Sequence, residues 1–257
     1  MRLFSALLPP EAVLRRVAEI TRELRDLPEA GRVRWTDPAG WHITLAFHGE
    51  CPDKILPDLG ERLGRAARRS APFHLRLTSG GRFGDRALWL GVADARPRLD
   101  PLPPAGDGRK EVVSPGLPNT PASGSPEETT SEPGGPPLAG AGRPPREAAT
   151  GRDRPVVRLA EACRAAGARA GAPHRETVPF RPHLTLARSR GGAGRAMAVL
   201  AGVPGDVIGE AWLVDRLVLI RSELPSGAAP GAGPRYTPLL ARELGTGRAV
   251  EATIAGG

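Results

Sequence analysis

Lysine is almost missing from this 257-residue chain: Lys54 and Lys110 are the only two, so 34 of its 36 basic residues are arginine. Aromatic residues are few, at five Phe, four Trp and one Tyr. The two cysteines, Cys51 and Cys163, stand far apart with no Cys-x-x-Cys partner, which argues against a disulfide framework or a zinc site and suits a reducing cytoplasm. No stretch stays apolar for the ~18 residues that a membrane span requires. The opening apolar run passes directly into Pro9-Pro10 and a charged segment rather than a signal core. The expectation is a cytoplasmic protein without membrane attachment, and no obligate protein partner is indicated.

Net charge is +8, which fits a polyanionic ligand such as RNA. The surplus of Arg, Ala, Gly and Pro equally fits a bias in codon composition, and both explanations stand at this point. Residues 101–154 differ from the rest: they are rich in Pro, Gly, Ser and Thr and contain no Phe, Trp, Tyr, His or Cys. With seven acidic and six basic residues the segment carries −1, leaving +9 on the other 203 residues. It reads as a disordered insert. Residues 1–100 and 155–257 then form one domain together.

Within that domain, strands and helices mix without strict alternation, which argues for an α+β fold. The spacing predicts strands over 2–8, 73–77, 87–92, 212–222 and 236–244, and helices over 11–24, 54–69, 156–168 and 195–200. The run Ser79-Gly80-Gly81-Arg82-Phe83-Gly84 lacks the Lys-Ser/Thr ending of a phosphate loop and reads as a turn.

Two segments are near copies: Trp41-His42-Ile43-Thr44-Leu45-Ala46 and Pro182-His183-Leu184-Thr185-Leu186-Ala187. Each holds a His-x-Thr-x tetrad with the period-2 alternation of a half-buried strand, so His and Thr leave one face and the aliphatic residues the other. Two imidazoles with two hydroxyls can carry out in-line displacement at phosphorus. One His removes a proton from the attacking oxygen, the other supplies one to the departing oxygen, and the hydroxyls of Thr44 and Thr185 hold phosphoryl oxygens. That chemistry requires no metal or other cofactor. The remaining histidines lack such a context: the parity of His48 puts it at a surface or cleft rim, and His74 and His174 read as structural or exposed. Trp41 reads as core, while Arg181 either faces the cleft or is solvated.

The repeated tetrad resembles the signature of the 2H phosphoesterases. The flanking residues Met1 to Glu11, Trp41 to Gly49, Phe180 to Arg188 and Val214 to Leu224 narrow the resemblance to the RNA 2',3'-cyclic phosphodiesterase branch, historically called 2'-5' RNA ligases. The resemblance implies a bilobal, duplicated fold, with two antiparallel sheets backed by outer helices and facing each other across a cleft. It implies hydrolysis of RNA 2',3'-cyclic phosphate termini to 2'-phosphomonoesters, with His42 as proton donor and His183 as proton acceptor. Arg188 is then expected at the phosphate and Phe47 against a base or the cleft wall. Strict alternation opposes both, since each lies five residues beyond its His; a bulge or a twist after Leu45 and after Leu186 is required. Three alternatives stay open: 2'-5' ligation, which is the same reaction reversed, a non-catalytic RNA-binding module, and action on another cyclic phosphate. Members of the family usually join the strand before this point to the helix after it by a short connection, so the 101–154 insert departs from the family.

Overall fold

The alternating apolar residues build ten strands in two sheets, as seen in a computed structural model that describes residues 1–96, 154–173, 178–189, 191–205, 209–223 and 233–252. The described residues belong to one compact unit drawn from Met1–Arg98 and Ala149–Gly257. The expected disorder of 101–154 concerns residues that, except for Arg154, lie outside the described ones, as does His174.

One sheet contains β1 (Arg2–Leu7), β3 (Ile43–Glu50), β8 (Arg216–Glu223), β9 (Arg235–Glu243) and β10 (Ala249–Val250), in the order β10-β9-β8-β1-β3. The other contains β2 (Val33–Trp35), β4 (Phe73–Phe83), β5 (Ala87–Ala95), β6 (His183–Ser189) and β7 (Trp212–Val214), in the order β2-β6-β5-β4-β7. Every pairing is antiparallel. Each sheet thus holds one tetrad strand at or next to its edge, and β3 lies against β6.

One strand read from the sequence is divided in space, and one run read as a turn is largely strand. The run 212–222 breaks at Asp215: Trp212–Val214 pairs with β4, whereas Arg216–Glu223 pairs with β1 in the other sheet. The Asp215 backbone carbonyl accepts from Leu244 N at 2.7 Å, which anchors the crossing point. The glycine-rich run is strand from Ser79 to Phe83, and the expected turn begins only at Gly84. A Cβ at Gly80 would strike the Ala201 carbonyl oxygen at 2.7 Å, and one at Gly81 would enter the Trp89 ring, so both glycines admit neighbours that any side chain would exclude.

Among the described residues four α-helices back the sheets: α1 (Glu11–Arg25), α2 (Leu56–Arg68), α3 (Pro155–Arg169) and α4 (Gly194–Gly202). In α1, Glu11 opens and Arg22 and Arg25 close the helix in agreement with its dipole, and Val13, Val17, Ile20 and Leu24 form the buried stripe. Helix α3 packs on β3 and α2 on β8 and β9, while α4 packs on β4 and β5. The aliphatic tetrad residues Ile43, Leu45, Leu184 and Leu186 are at most 1% exposed in the core shared by both sheets and the helices. Each stabilises the fold by about 1.5–3 kcal/mol through burial. A second apolar cluster, formed by Phe4, Ala6, Val218, Ile220 and Ala241, covers the other face of the first sheet.

Candidate active site

The two tetrad histidines are held in the same way. Nδ1–H of His42 donates to the Gly40 carbonyl at 2.7 Å, and Nδ1–H of His183 donates to the Arg181 carbonyl at 2.7 Å, each two residues upstream. A carbonyl only accepts, so both rings carry hydrogen on Nδ1 and leave Nε2 available. The first carbonyl is presented by a 3₁₀ turn, Pro38–Gly40, whose opening Asp37 side chain accepts from Ala39 N at 2.9 Å. The second precedes Pro182, whose own carbonyl accepts from Val92 N at 3.1 Å.

Each imidazole also sits against two aromatic rings. His42 lies 4.7 Å from Phe4 and 5.1 Å from Tyr236, the latter edge-on. His183 lies 4.8 Å from Phe83, edge-on, and 6.2 Å from Trp89. These rings restrict both imidazoles to one orientation and remove water from them.

Of the two irregularities that the sequence pattern allowed, a bulge or a twist, the structure has a bulge at each place. Ser5 pairs with Ala46 but Ala6 with Thr44, so Leu45 is an extra residue on β3, and Phe47 shares a face with Thr44. Leu88 pairs with Ala187 but Trp89 with Thr185, so Leu186 is extra on β6, and Arg188 shares a face with Thr185. Phe47 is covered by the Arg2 guanidinium, 4.8 Å from the ring centroid. One wall is therefore apolar and aromatic, with Phe4, Phe47 and Tyr236. The other presents guanidinium, because Arg34 on β2 pairs with Arg188 on β6.

The electrostatics tie the two walls together. Burial, followed by the charges of Arg188 and His183, lowers His42 to about 4 against a backbone hydrogen bond that raises it. His183 is lowered by burial and by Arg188, again opposed by its backbone hydrogen bond. Burial raises Tyr236, and the charges of Arg188, Arg2 and Arg34 oppose it. Arg188 thus acts on both histidines and on the tyrosine of the facing wall, and together with burial it favours the neutral form of both imidazoles. Such a site can take up an anion and exchange protons with it. Among the described residues no group of three or more His, Cys, Asp or Glu side chains is arranged to hold a metal ion.

The structure brings together His42, Thr44, Phe47, His183, Thr185 and Arg188, and corrects the expectation for His48. The bulge at Leu45 inverts the parity on which that expectation rested. His48 is 1% exposed, its Nε2 2.8 Å from Ser5 Oγ on the helix side of the sheet. His74 is half-buried, Trp41 lies in the core, and Arg181 is exposed. Five residues were missed by sequence reasoning: Phe4, Phe83, Trp89, Tyr236 and Arg34. None of the five carried a local signal: the four aromatics reach the histidines from other strands, and the strand of Arg34 is only three residues long.

The model of the LigT-like phosphoesterase family matches residues 7–89. A Thermus thermophilus protein named RNA 2',3'-cyclic phosphodiesterase is 31% identical over 247 residues, 93% of this chain and 88% of that one. An Aquifex aeolicus protein of the same name is 29% identical over 90 residues, 34% of this chain and 47% of that one. Among solved structures, a Thermus thermophilus protein superposes with a TM-score of 0.57 at 26% identity, covering 95% of this chain and 98% of that one. Escherichia coli LigT complexed with 3'-AMP gives 0.57 at 22% identity, covering 95% and 97%.

Proposed function

The chain belongs to the LigT-like phosphoesterases of the 2H superfamily, and on that premise we propose that it hydrolyses RNA 2',3'-cyclic phosphate termini to 2'-phosphomonoesters. The cyclic phosphate is held by the Thr44 and Thr185 hydroxyls and the Arg188 guanidinium, with the terminal base against Phe47. Water attacks phosphorus opposite the 3' oxygen: its O–P bond forms as the P–O3' bond breaks. His42 enters the step as imidazolium, having taken up a proton on Nε2; His183 Nε2 takes the water proton as His42 Nε2 delivers its own to the departing 3' oxygen, leaving a 3' hydroxyl and a 2' phosphate. Residues 1–100 and 155–257 together supply this machinery, the 101–154 insert contributes none of it, and the reaction needs no metal. A cytoplasmic setting belongs to the same proposal and is supported by the buried, unpaired Cys51 and Cys163.

The observation that carries the reading is the matched pair of Nδ1–H bonds to backbone carbonyls, which presents two Nε2 atoms of one tautomer beside a shared guanidinium. Single-turnover assay on a short RNA with a cyclic end tests it. His42→Ala and His183→Ala should each slow the reaction by roughly 10²- to 10⁴-fold while the fold persists. Near-full activity in either variant removes that residue from the mechanism. A substrate with sulfur in place of the 3' oxygen needs no proton on leaving, so it should rescue the His42 variant and not the His183 variant; the reverse pattern exchanges the two roles. Activity should also survive chelation by EDTA, and its loss with recovery on adding a divalent ion would refute metal independence.

A further inference from the structure

The helices behind the first sheet carry a feature that hydrolysis of an RNA end does not use. Between α2 and α3 runs a groove of about 610 Å³, rimmed by Arg62 and Arg65 of α2, by Arg69 directly after it, and by Arg158 and Arg169 of α3. Among the described residues no Asp or Glu lines it. The spacing of three and four residues over α2 and Arg69, and of eleven on α3, sets these arginines along facing helical stripes. Ala66, Ala162 and Ala165 lie between them, short enough to leave the groove open. Arg62 is paired with Asp58 at 2.8 Å and Arg65 with Glu61 at 3.6 Å, both from the preceding turn of α2. Arg69 and Arg169 are exposed and make no ion pair among the described residues.

With Arg62 and Arg65 each paired to a carboxylate of the preceding turn, the uncompensated charge of the groove lies on Arg69 and Arg169, and an anion placed there is drawn to both. The planar fork of arginine matches phosphate oxygens in pairs, which favours a phosphodiester as that anion. The position matters as well. Helix α3 packs on β3, and the opposite face of β3 carries Thr44 and Phe47. The groove and the histidines therefore lie on opposite sides of the first sheet, and a ligand occupying one cannot be the ligand occupying the other unless it is long enough to pass round the sheet edge.

We propose that the α2–α3 groove is a second, non-catalytic anion site that takes the phosphodiester backbone of the body of a single-stranded RNA substrate. The identification of the anion as RNA rests on the activity proposed above, whereas the anion site does not. On this proposal a long RNA gains affinity from the groove and a cyclic mononucleotide gains none.

The test uses the full chain with Arg69→Gln/Arg169→Gln, changes remote from the histidines. Binding of a fluorescently labelled RNA of about 20 nucleotides with an ordinary 3' hydroxyl should weaken roughly tenfold. The salt dependence should become shallower by about 1.4 in log–log slope, the contribution of two phosphate contacts to a single strand. The kcat and KM for 2',3'-cyclic AMP should stay at the parent values. A matched change on α1, Arg15→Gln/Arg22→Gln, should leave RNA affinity as it was. Unchanged RNA binding in the groove variant, or an equal loss in the α1 variant, overturns the proposal, the second because it reduces the effect to overall charge. Binding that depends on Arg69 and Arg169 for phosphatidylserine vesicles but not for RNA overturns it too. If no cyclic phosphate is hydrolysed yet the groove variant loses RNA affinity as expected, the groove assignment stands and the proposed activity falls.

Discussion

Arg34 on β2 and Arg188 on β6 stand directly opposite each other across an antiparallel pair. Side chains so placed share a face with Cβ atoms about 4.5–5.5 Å apart, and like charges there destabilise the sheet. The face is the one that carries His183 and Thr185, and both charges act on Tyr236 of the opposite wall. The simplest use of the repulsion is to hold a phosphate between two guanidiniums.

Arg34→Gln should therefore weaken substrate without disturbing proton transfer. A charge-assisted hydrogen bond of about 1.5–3 kcal/mol corresponds to a loss of roughly ten- to hundredfold in kcat/KM. The loss should appear chiefly in KM, since Arg34 is not a proton carrier. A variant with parent kcat and KM would return Arg34 to a purely structural role.

The histidines set the pH dependence. The productive form carries one proton between two imidazoles, and its population is greatest between their two apparent pKa values. His42 is lowered to about 4 and His183 is lowered too, first by burial in each case. Both free-protein values thus fall below the ordinary 6.5 of histidine. The kcat/KM profile should peak below pH 6.5 and decline as pH rises through neutrality, when the single proton is lost. A bound phosphate anion offsets the charge of Arg188 and favours the imidazolium, so the kcat profile should lie at higher pH than that of kcat/KM. Coincident profiles peaking above pH 8 would contradict the assignment.

Thr44 and Thr185 separate packing from hydrogen bonding. Valine keeps the branched shape suited to a strand and removes the hydroxyl. If the hydroxyls hold phosphoryl oxygens, Thr44→Val and Thr185→Val should lower kcat/KM by about 5- to 100-fold, in keeping with hydrogen bonds of about 1–3 kcal/mol, with little change in Tm. Parent kinetics in both would leave these residues with strand propensity alone.

How much of this was legible follows from which signals are local. The tetrads could be read because alternation at period 2 is written into consecutive residues, and Ile43, Leu45, Leu184 and Leu186 are buried as that period requires. The bulges at Leu45 and Leu186 were needed to place Phe47 and Arg188, but nothing in the residues themselves marks a bulge. The same feature reversed the expectation for His48. The strand Val33–Trp35 is three residues long and takes its partner from β6, far away in sequence, so it offers too little pattern to find. Phe4, Phe83, Trp89 and Tyr236 meet the histidines through cross-strand pairing, and their role exists only once the register is known.

Asp94 bears on the insert. At the end of β5 its carboxylate accepts Arg154 Nε at 2.9 Å and Val156 N at 3.1 Å, tying the start of α3 to the strand that precedes the insert. The two points at which the chain leaves and re-enters the fold are thereby fixed next to each other, and a short connection can span them. Replacing Leu102 to Gly151 by a few Gly and Ser residues should preserve hydrolysis of cyclic phosphate RNA, because the backbone carbonyls and aromatic rings described around the two histidines all come from outside that segment. Closure of a shorter loop changes the entropy of folding only slowly with length, so stability should hold or rise slightly. Adding Asp94→Ala to the shortened chain should then cost about 1–3 kcal/mol, as a half-buried ion pair and a helix-end hydrogen bond are both lost, and lower Tm by several degrees. A shortened protein that folds with the parent Tm but no longer turns over substrate would show that the insert takes part in the reaction, and the division into one bilobal catalytic domain and a dispensable insert would have to be given up.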